Sequence, residues 1–579
     1  MKNTRKKIPY GVSDFQKIRK GNYYYVDKTN FIQKVEDSSD YLFFIRPRRF
    51  GKSLWLSLME NYYDINRKQD FEELFKGTYI YDNQTDTKNS YFILKFNFSE
   101  INPDIKEVEK SFNQTIKINS LEFIKKYKDY LEDTDNKMYQ TIENINSAAE
   151  ILKYINSFAK DKGKIYLLID EYDNFTNTII SSTDNEQYMA ITHGEGFYRH
   201  FFNVIKAGTT GGPIAKLFIT GVSPVTMDDV TSGFNIGYNI TALPEFNEMT
   251  GFTETDVKDM LSHYDIDENN IELMRKWYNN YLFSEDEKTR MYNSDMVLYF
   301  IKQYTDTHKI PKDMLDYNIR TDYNKIKYLI ITDLKGKIKV NGNFEKLNII
   351  LEEGQIEANI VNSFPAERII DPQNFISLLY YFGLLTIKGV SYGMTELSIP
   401  NEVIKQLYYE YIREGYRDTE IFNVNFYKLG ILFKGLAYFG KWEELFKYLS
   451  DEMNKQTSLR DYIEGERSVQ TFLRAYLNVS NYYITRTEYE LNKGYCDILL
   501  LPNVTQYPDM KYSYLIELKY LSQKEFNQEK LEEKIKNAEE KLNKYKDDEG
   551  LQKLLGNTQI IRLILVFSGV ELTYKSELG

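Results

Sequence analysis

The stretch YLFFIRPRRFGKSLW, residues 41–55, narrows the fold of this chain more than any other. A short apolar run, Tyr41 to Ile45, enters a basic turn of Arg46, Pro47, Arg48, Arg49 and Phe50. Gly51-Lys52-Ser53 follows, and then a helix-periodic run. A strand feeding a helix through such a turn aims backbone N–H groups and a helix N-terminus at one place, where an anion is held. A lysine there neutralises the outer phosphates, and the next hydroxyl can reach Mg²⁺. This is the ending of a phosphate-binding loop, with Arg46 standing where the first glycine of such a loop is expected. Gly-Lys-Ser is short enough to arise by chance, so its context matters.

That context is an alternation of short apolar runs with amphipathic stretches from about residue 8 to 250, the pattern of an α/β domain with a parallel sheet. The expected strands are YLFFI (41–45), YFILKFNF (91–98), KIYLLID (164–170) and AKLFITG (215–221). Most are near-continuous apolar runs, as strands covered on both faces require. The third ends in Asp170-Glu171, at the strand end where ligands collect in parallel sheets. Asp170 would hold Mg²⁺-bound water and Glu171 would polarise an attacking water; the alternative is an ordinary solvated acidic strand end. Thr220, closing the fourth strand, is a candidate for the polar residue near the γ-phosphate, or else part of a plain strand exit.

At 579 residues the chain is too long for one ordinary core. Periodicity divides it into 1–250, a mostly helical 251–455, and 456–579. The run FISLLYYFGLLTI (375–387) is too short to span a bilayer and reads as buried core. MKNTRKKIPYGVSDF lacks the apolar segment of a secretory signal, which leads us to expect a cytoplasmic protein without a membrane. One cysteine, Cys496, excludes an internal disulfide. With four scattered histidines it cannot build a Cys/His zinc site, so any metal would be a hard, oxygen-bound cation such as Mg²⁺ or Mn²⁺. A net charge of −11 argues against a general nucleic-acid coat protein but leaves room for a local basic cleft.

The last segment carries GYCDILLLPN and then YLIELKYL. Glu517 and Lys519, two apart on one strand, share a face, and an adjacent strand can bring Asp497 to them. Two carboxylates can share a divalent metal that activates water and offsets phosphate charge, while the lysine orients or deprotonates that water. The order strand, turn, strand, helix, strand resembles a restriction-endonuclease-like α/β core. The lysine- and glutamate-rich helix at 524–547 has the mixed charge of a solvated face.

IPYGVSDFQKIRKGNYYYVDKTNFI, FIRPRRFGKSLWLSLMENYY, LLIDEYD, LFITGVSPVTMDDVTSGFN, WYNNYLF and MYNSDMVLYF together resemble the AAA-ATPase-like family, whose members usually end in a PD-(D/E)XK-type nuclease domain. The resemblance extends through LLYYFGLLTI and LSIPNEVI in the middle region. It implies an N-terminal P-loop NTPase domain, a helical middle region and a C-terminal nuclease domain. ATP would lie on Arg48, Arg49, Phe50, Gly51, Lys52 and Ser53, and Mg²⁺ on Ser53 and Asp170. A second Mg²⁺ or Mn²⁺ would lie on Asp497 and Glu517. Arg48 and Arg49 would add charge-assisted phosphate contacts or pair with surface acids instead. A helix acid before the sheet, Glu466 or the competing Glu464, would join the metal set, or simply favour the helix dipole. Two places depart from the family pattern: Tyr495 replaces a basic residue two before Asp497, and Lys541 replaces a helix glutamine. The implied activity is ATP-dependent action on nucleic acid, DNA in preference to RNA. The alternative is a non-catalytic ATP-controlled switch that binds a protein partner or a second copy, with the nuclease-like fold as a docking module.

Overall fold

The computed structural model describes residues 5–104, 106–174, 191, 196–224, 235–316, 346–347, 349–350, 354–364, 368, 371–408, 426–455, 465–477, 480, 482–491, 494–504, 507, 509–545, 548–555 and 557–578. These fall into two compact units, the first built from elements up to Ile404 and the second from elements after it.

In the first unit β1 (Tyr41–Ile45) leads into α1 (Lys52–Tyr63), followed by β2 (Phe92–Asn97) and the long α2 (Val108–Lys126). Next come α3 (Ala148–Ala159), started by a Ser147 side-chain cap, β3 (Ile165–Asp170), α4 (Phe197–Thr209), β4 (Ile214–Gly221) and the short β5 (Tyr238–Asn239). The strands are parallel in the order β2-β3-β4-β1-β5. All six residues of β3 are buried, which explains its unbroken apolar sequence. Thus β4 lies between the strand that feeds the phosphate loop and the strand that ends in Asp170. In register, Phe44 faces Thr220 and Asn97 faces Asp170, so the loop and the acids share the C-terminal edge.

The same unit continues with α5 (Glu254–His263), opened by a Thr253/Asp256 capping box, then α6 (Asn270–Tyr278) and α7 (Ser294–Thr307). A small antiparallel sheet in the order β6-β8-β7 follows, from β6 (Gln355–Ala358), β7 (Thr386–Ser391) and β8 (Met394–Ser398), with α8 (Pro372–Tyr381) between the first two. The apolar run 375–387 is therefore helix and then strand, broken at Gly383. The compact units differ from the three expected segments: elements from 251 to 404 pack with the N-terminal sheet, and those from 426 onward with the C-terminal one.

The second unit holds α9 (Phe426–Phe439), α10 (Trp442–Lys455), α11 (Glu466–Leu477), β9 (Tyr483–Leu491), β10 (Gly494–Pro502) and β11 (Tyr512–Leu521). It ends with α12 (Gln528–Tyr545), α13 (Glu549–Leu555), β12 (Gln559–Ser568) and β13 (Glu571–Leu578). The sheet order is β13-β12-β11-β10-β9, with only β11 and β12 parallel. Alternation assigns its faces. Ile498, Leu500, Tyr514, Ile516 and Leu518 join α9–α11 in one core, while Leu499, Leu501, Leu515 and Leu521 join α12 and α13 in another.

Candidate functional site

The phosphate loop is held by residues far from it in sequence. Gly51 makes the turn into α1 at φ 92°, a conformation glycine adopts at little cost. Arg49 adopts φ 65°. Its guanidinium pairs with Asp295 at 2.9 Å, and its carbonyl accepts a 3.0 Å hydrogen bond from the Ser294 hydroxyl at the start of α7. Asn293 donates to the Arg48 carbonyl at 3.4 Å. Phe50 is buried edge-on against Tyr281 and Phe283, and its carbonyl accepts from the Gly251 N–H at 2.9 Å. Gly383, at φ 74°, lies so close that a Cβ there would come within 2.8 Å of the Pro47 ring.

Arg46 replaces the missing glycine as a pin. It is 1% exposed and donates to the carbonyls of Ile45, Thr241 and Phe246 at 2.9, 2.7 and 2.9 Å. Its guanidinium carbon lies 4.4 Å from the centre of the Phe44 ring and 4.2 Å from that of Phe283. Burial pushes its pKa down to about 9, and the side chain serves the loop's shape without lining the cavity beside it.

That cavity, about 410 Å³, is lined by Arg48 to Ser53 and Glu171. Its other walls are the N-terminal segment (Pro9, Gly11, Tyr24, Val26) and Met249, Phe252, Asp295 and Leu298. Lys52 is 6% exposed, and its ammonium donates to the carbonyls of Arg46 and Pro47 at 2.9 and 3.0 Å. Burial lowers its pKa, while Glu171, Asp170 and Asp173 pull it back up. Glu171, at φ 51°, has its pKa raised by burial and held back by Arg48 and Lys52. Arg48 reaches Asn174 at 3.3 Å. Asp170 and Thr220 do not line the cavity but bond to each other, the Thr220 hydroxyl donating to Asp170 Oδ1 at 2.7 Å. Of the residues named from sequence for the nucleotide, all of Arg48 to Ser53 and Glu171 line one cavity.

In the second unit β10 and β11 bring Asp497, Glu517 and Lys519 together. The Lys519 ammonium lies 3.3 Å from Asp497 Oδ2 and 3.0 Å from Glu517 Oε2, and also donates to the Leu518 carbonyl at 2.8 Å. Asp497 Oδ2 accepts from the Leu518 N–H at 2.7 Å, which fixes it across the strand pair. Glu517 has no exposed side-chain surface; that burial, with the Asp497 charge, pushes its pKa up to about 7. Glu466, first residue of α11, accepts from the Tyr520 N–H at 3.2 Å, so it sits near the trio without bonding to it. Glu464 lies outside the described residues. Among the described residues no three His, Cys, Asp or Glu side chains form a ready metal cage. Yet Glu517 Oε1 is buried with no hydrogen-bond partner, a donor oxygen suited to a hard cation that keeps several waters.

Three features escaped the sequence reading. Asp173 accepts from the Val222 and Ser223 N–H groups (nearest 2.6 Å to Ser223), tying the end of β3 to that of β4. The brace of Asn293, Ser294 and Asp295 joins segments more than 240 residues apart, although MYNSD had already drawn attention by resemblance. Lys541, standing where a glutamine was expected, reaches Glu517 Oε2 at 3.3 Å.

Residues 9–231 match the family described as a predicted AAA-ATPase, and residues 464–577 match the PD-(D/E)XK nuclease superfamily. An uncharacterized protein in the vnfD 5′ region of Azotobacter chroococcum mcd 1 is 29% identical over 307 residues, covering 52% of this chain and 53% of that protein. The chain thus matches about half the length of that curated relative. The Walker-type ATPase PABY2304 of Pyrococcus abyssi aligns with a TM-score of 0.36 and 11% identity, over 70% of this chain and 99% of its own.

Proposed function

We propose that this chain, with its AAA-ATPase-like domain at 9–231 and its PD-(D/E)XK nuclease superfamily domain at 464–577, binds and hydrolyses ATP and cleaves phosphodiester bonds in nucleic acid. The nucleotide-binding part is 1–250, the nuclease part 456–579, and the middle region up to 404 braces the phosphate loop. The observation that carries the nuclease half is the convergence of Asp497, Glu517 and Lys519 around an unsatisfied carboxylate oxygen.

In the first domain Lys52 would exchange the loop carbonyls for the outer phosphates of ATP, and the N–H groups of the loop would face the same anion. Ser53 and Asp170 would hold Mg²⁺, Thr220 fixing the Asp170 carboxylate. Glu171 would orient and deprotonate water, and burial, which raises its pKa, makes its carboxylate a stronger base for that proton. In the second domain Asp497 and Glu517 would hold Mg²⁺ or Mn²⁺, which when bound supplies a Lewis acid for the phosphate and an activated water. Lys519 steadies both carboxylates and offsets charge developing on phosphate.

Calorimetric titration of ATP with Mg²⁺, using Lys52→Ala as control, tests the first half. Heat that disappears in the variant supports it; no binding to the folded intact chain defeats it. Titration of Mn²⁺ with Asp497→Ala as control tests the second half, followed by nuclease assays with and without ATP. The contact of Lys541 with Glu517 favours a second reading, in which an ammonium keeps the acid pair filled and the fold docks a protein partner. Absence of Mn²⁺ binding to the intact chain would select it.

A further inference from the structure

We infer that one lysine edge of α12 is a rail for a nucleic-acid phosphate backbone, leading into the acid pair of the second unit; the inference rests on the nuclease reading for its substrate. In sequence α12 is a mixture of lysine and glutamate without obvious order. Its helical geometry sorts them. At about 100° per residue, with Lys530 at 0°, Lys534, Lys541 and Lys544 fall at about 40°, 20° and −40°. The buried Leu531, Ala538, Leu542 and Tyr545 lie at about 60–120° on the same scale, so the lysine edge adjoins the packed face. Glu533 and Glu540 flank the edge on its solvent side at about −60° and −80°, and Glu532 and Glu539 point away at about 180–200°.

A charged edge is by itself an ordinary solvated face. Here Lys541, in the middle of this one, reaches Glu517 Oε2 at 3.3 Å, so the row of ammonium groups passes over the candidate chemistry. From Lys530 to Lys544 the row covers about 21 Å of helix at 1.5 Å per residue. That length matches about six nucleotide steps at 3.4 Å along one strand. Lysine suits the task because it contacts phosphate as a flexible point charge and reads no base. The chain as a whole carries −11, so the edge would draw a polyanion to this face and not to the surface at large. Lys541 then has a double position: it pairs with Glu517 while no phosphate is present and can turn to a backbone oxygen when one arrives.

The test is fluorescence anisotropy of a labelled DNA duplex with the full chain, without divalent ions, from 50 to 200 mM salt, with an RNA duplex of the same sequence in parallel. Lys530→Gln/Lys534→Gln removes two phosphate contacts on the edge, while Lys536→Gln removes a lysine on another side of the helix. The slope of log K against log salt should become shallower by about 1.8 in the double variant, near 0.9 for each contact on B-DNA, and stay at the wild-type value in Lys536→Gln. An unchanged slope in the double variant, or no binding by the wild-type chain, overturns the rail. Cleavage of the same duplexes after adding Mg²⁺ reports separately on the nuclease reading. Edge-dependent binding without cleavage defeats that reading alone, and cleavage with an unchanged slope defeats the rail alone. The DNA and RNA arms show which backbone the edge prefers.

Discussion

Glu171 keeps a left-handed backbone at the end of a fully buried strand, which costs a residue with a Cβ about 1–3 kcal/mol. The neighbouring bonds enforce it: the Tyr172 N–H donates to Thr220 and the Tyr172 hydroxyl to Ser223, so the chain must turn at Glu171. Glu171→Gln keeps that turn and removes the base. We expect ATP affinity within a few-fold of wild type and phosphate release slowed by about 10²–10⁴-fold. Arg46 predicts the opposite phenotype. Arg46→Ala removes a donor from three buried carbonyls, of which that of Phe246 keeps another, the Met249 N–H at 3.3 Å, and should cost about 2–5 kcal/mol in urea denaturation of the first unit. Glu517 gives a pH signature. Its folded-state pKa is raised toward 7, so ionised Glu517 opposes folding, and that penalty grows as pH rises from about 4.5 to 7. Without metal, Glu517→Gln should therefore gain stability relative to wild type across that window, by about 1–3 kcal/mol, and then level off above it. A difference independent of pH would show that Glu517 is not strained.

Among the elements, the loop and its brace are the sensitive pair. Gly383→Ala sets a Cβ against Pro47 and forces a positive φ on a residue that resists it. It should weaken ATP binding at least several-fold although residue 383 does not line the nucleotide cavity, a loss that calorimetry reads directly. The elements also show what sequence can reveal. β1, β3 and β4 were legible because strands covered on both faces are written as unbroken apolar runs. β9 (YITRTEYEL) and β13 (ELTYKSEL) lie at the sheet edges and mix polar with apolar residues, so they read as no element at all. The order Gly-Lys-Ser, Asp-Glu and Glu-x-Lys is local and could be seen in the chain. The partners that decide how those groups stand, Asp295 for Arg49 and Lys541 for Glu517, come from elsewhere and needed the fold. Arg46 stood out in the sequence only as the residue in place of the loop's first glycine; its service to buried carbonyls and two aromatic rings depends on partners that the local sequence does not show.

At the scale of the molecule, the match to the ATPase family ends at residue 231, whereas the loop that defines it is clamped by residues 251 to 295 and by Gly383. A fragment covering 1–404 should therefore fold and bind ATP. One covering 1–250 should not, because Phe50, Arg49 and Pro47 lose the surfaces that shape their turn. Circular dichroism and ATP titration of the two fragments check this, and ATP binding by the shorter one would mean that the brace is dispensable. The same clamp has a consequence in time. A growing polypeptide presents Lys52 early, but the clamp arrives about 200 to 240 positions later and its last part, Gly383, 331 positions later. At 5–20 residues per second, about 20–80 s of translation must pass before Gly383 has been made and the turn can close on it. Until then the nascent protein exposes a basic, half-built turn, and nucleotide capture becomes available only as a late reward of synthesis.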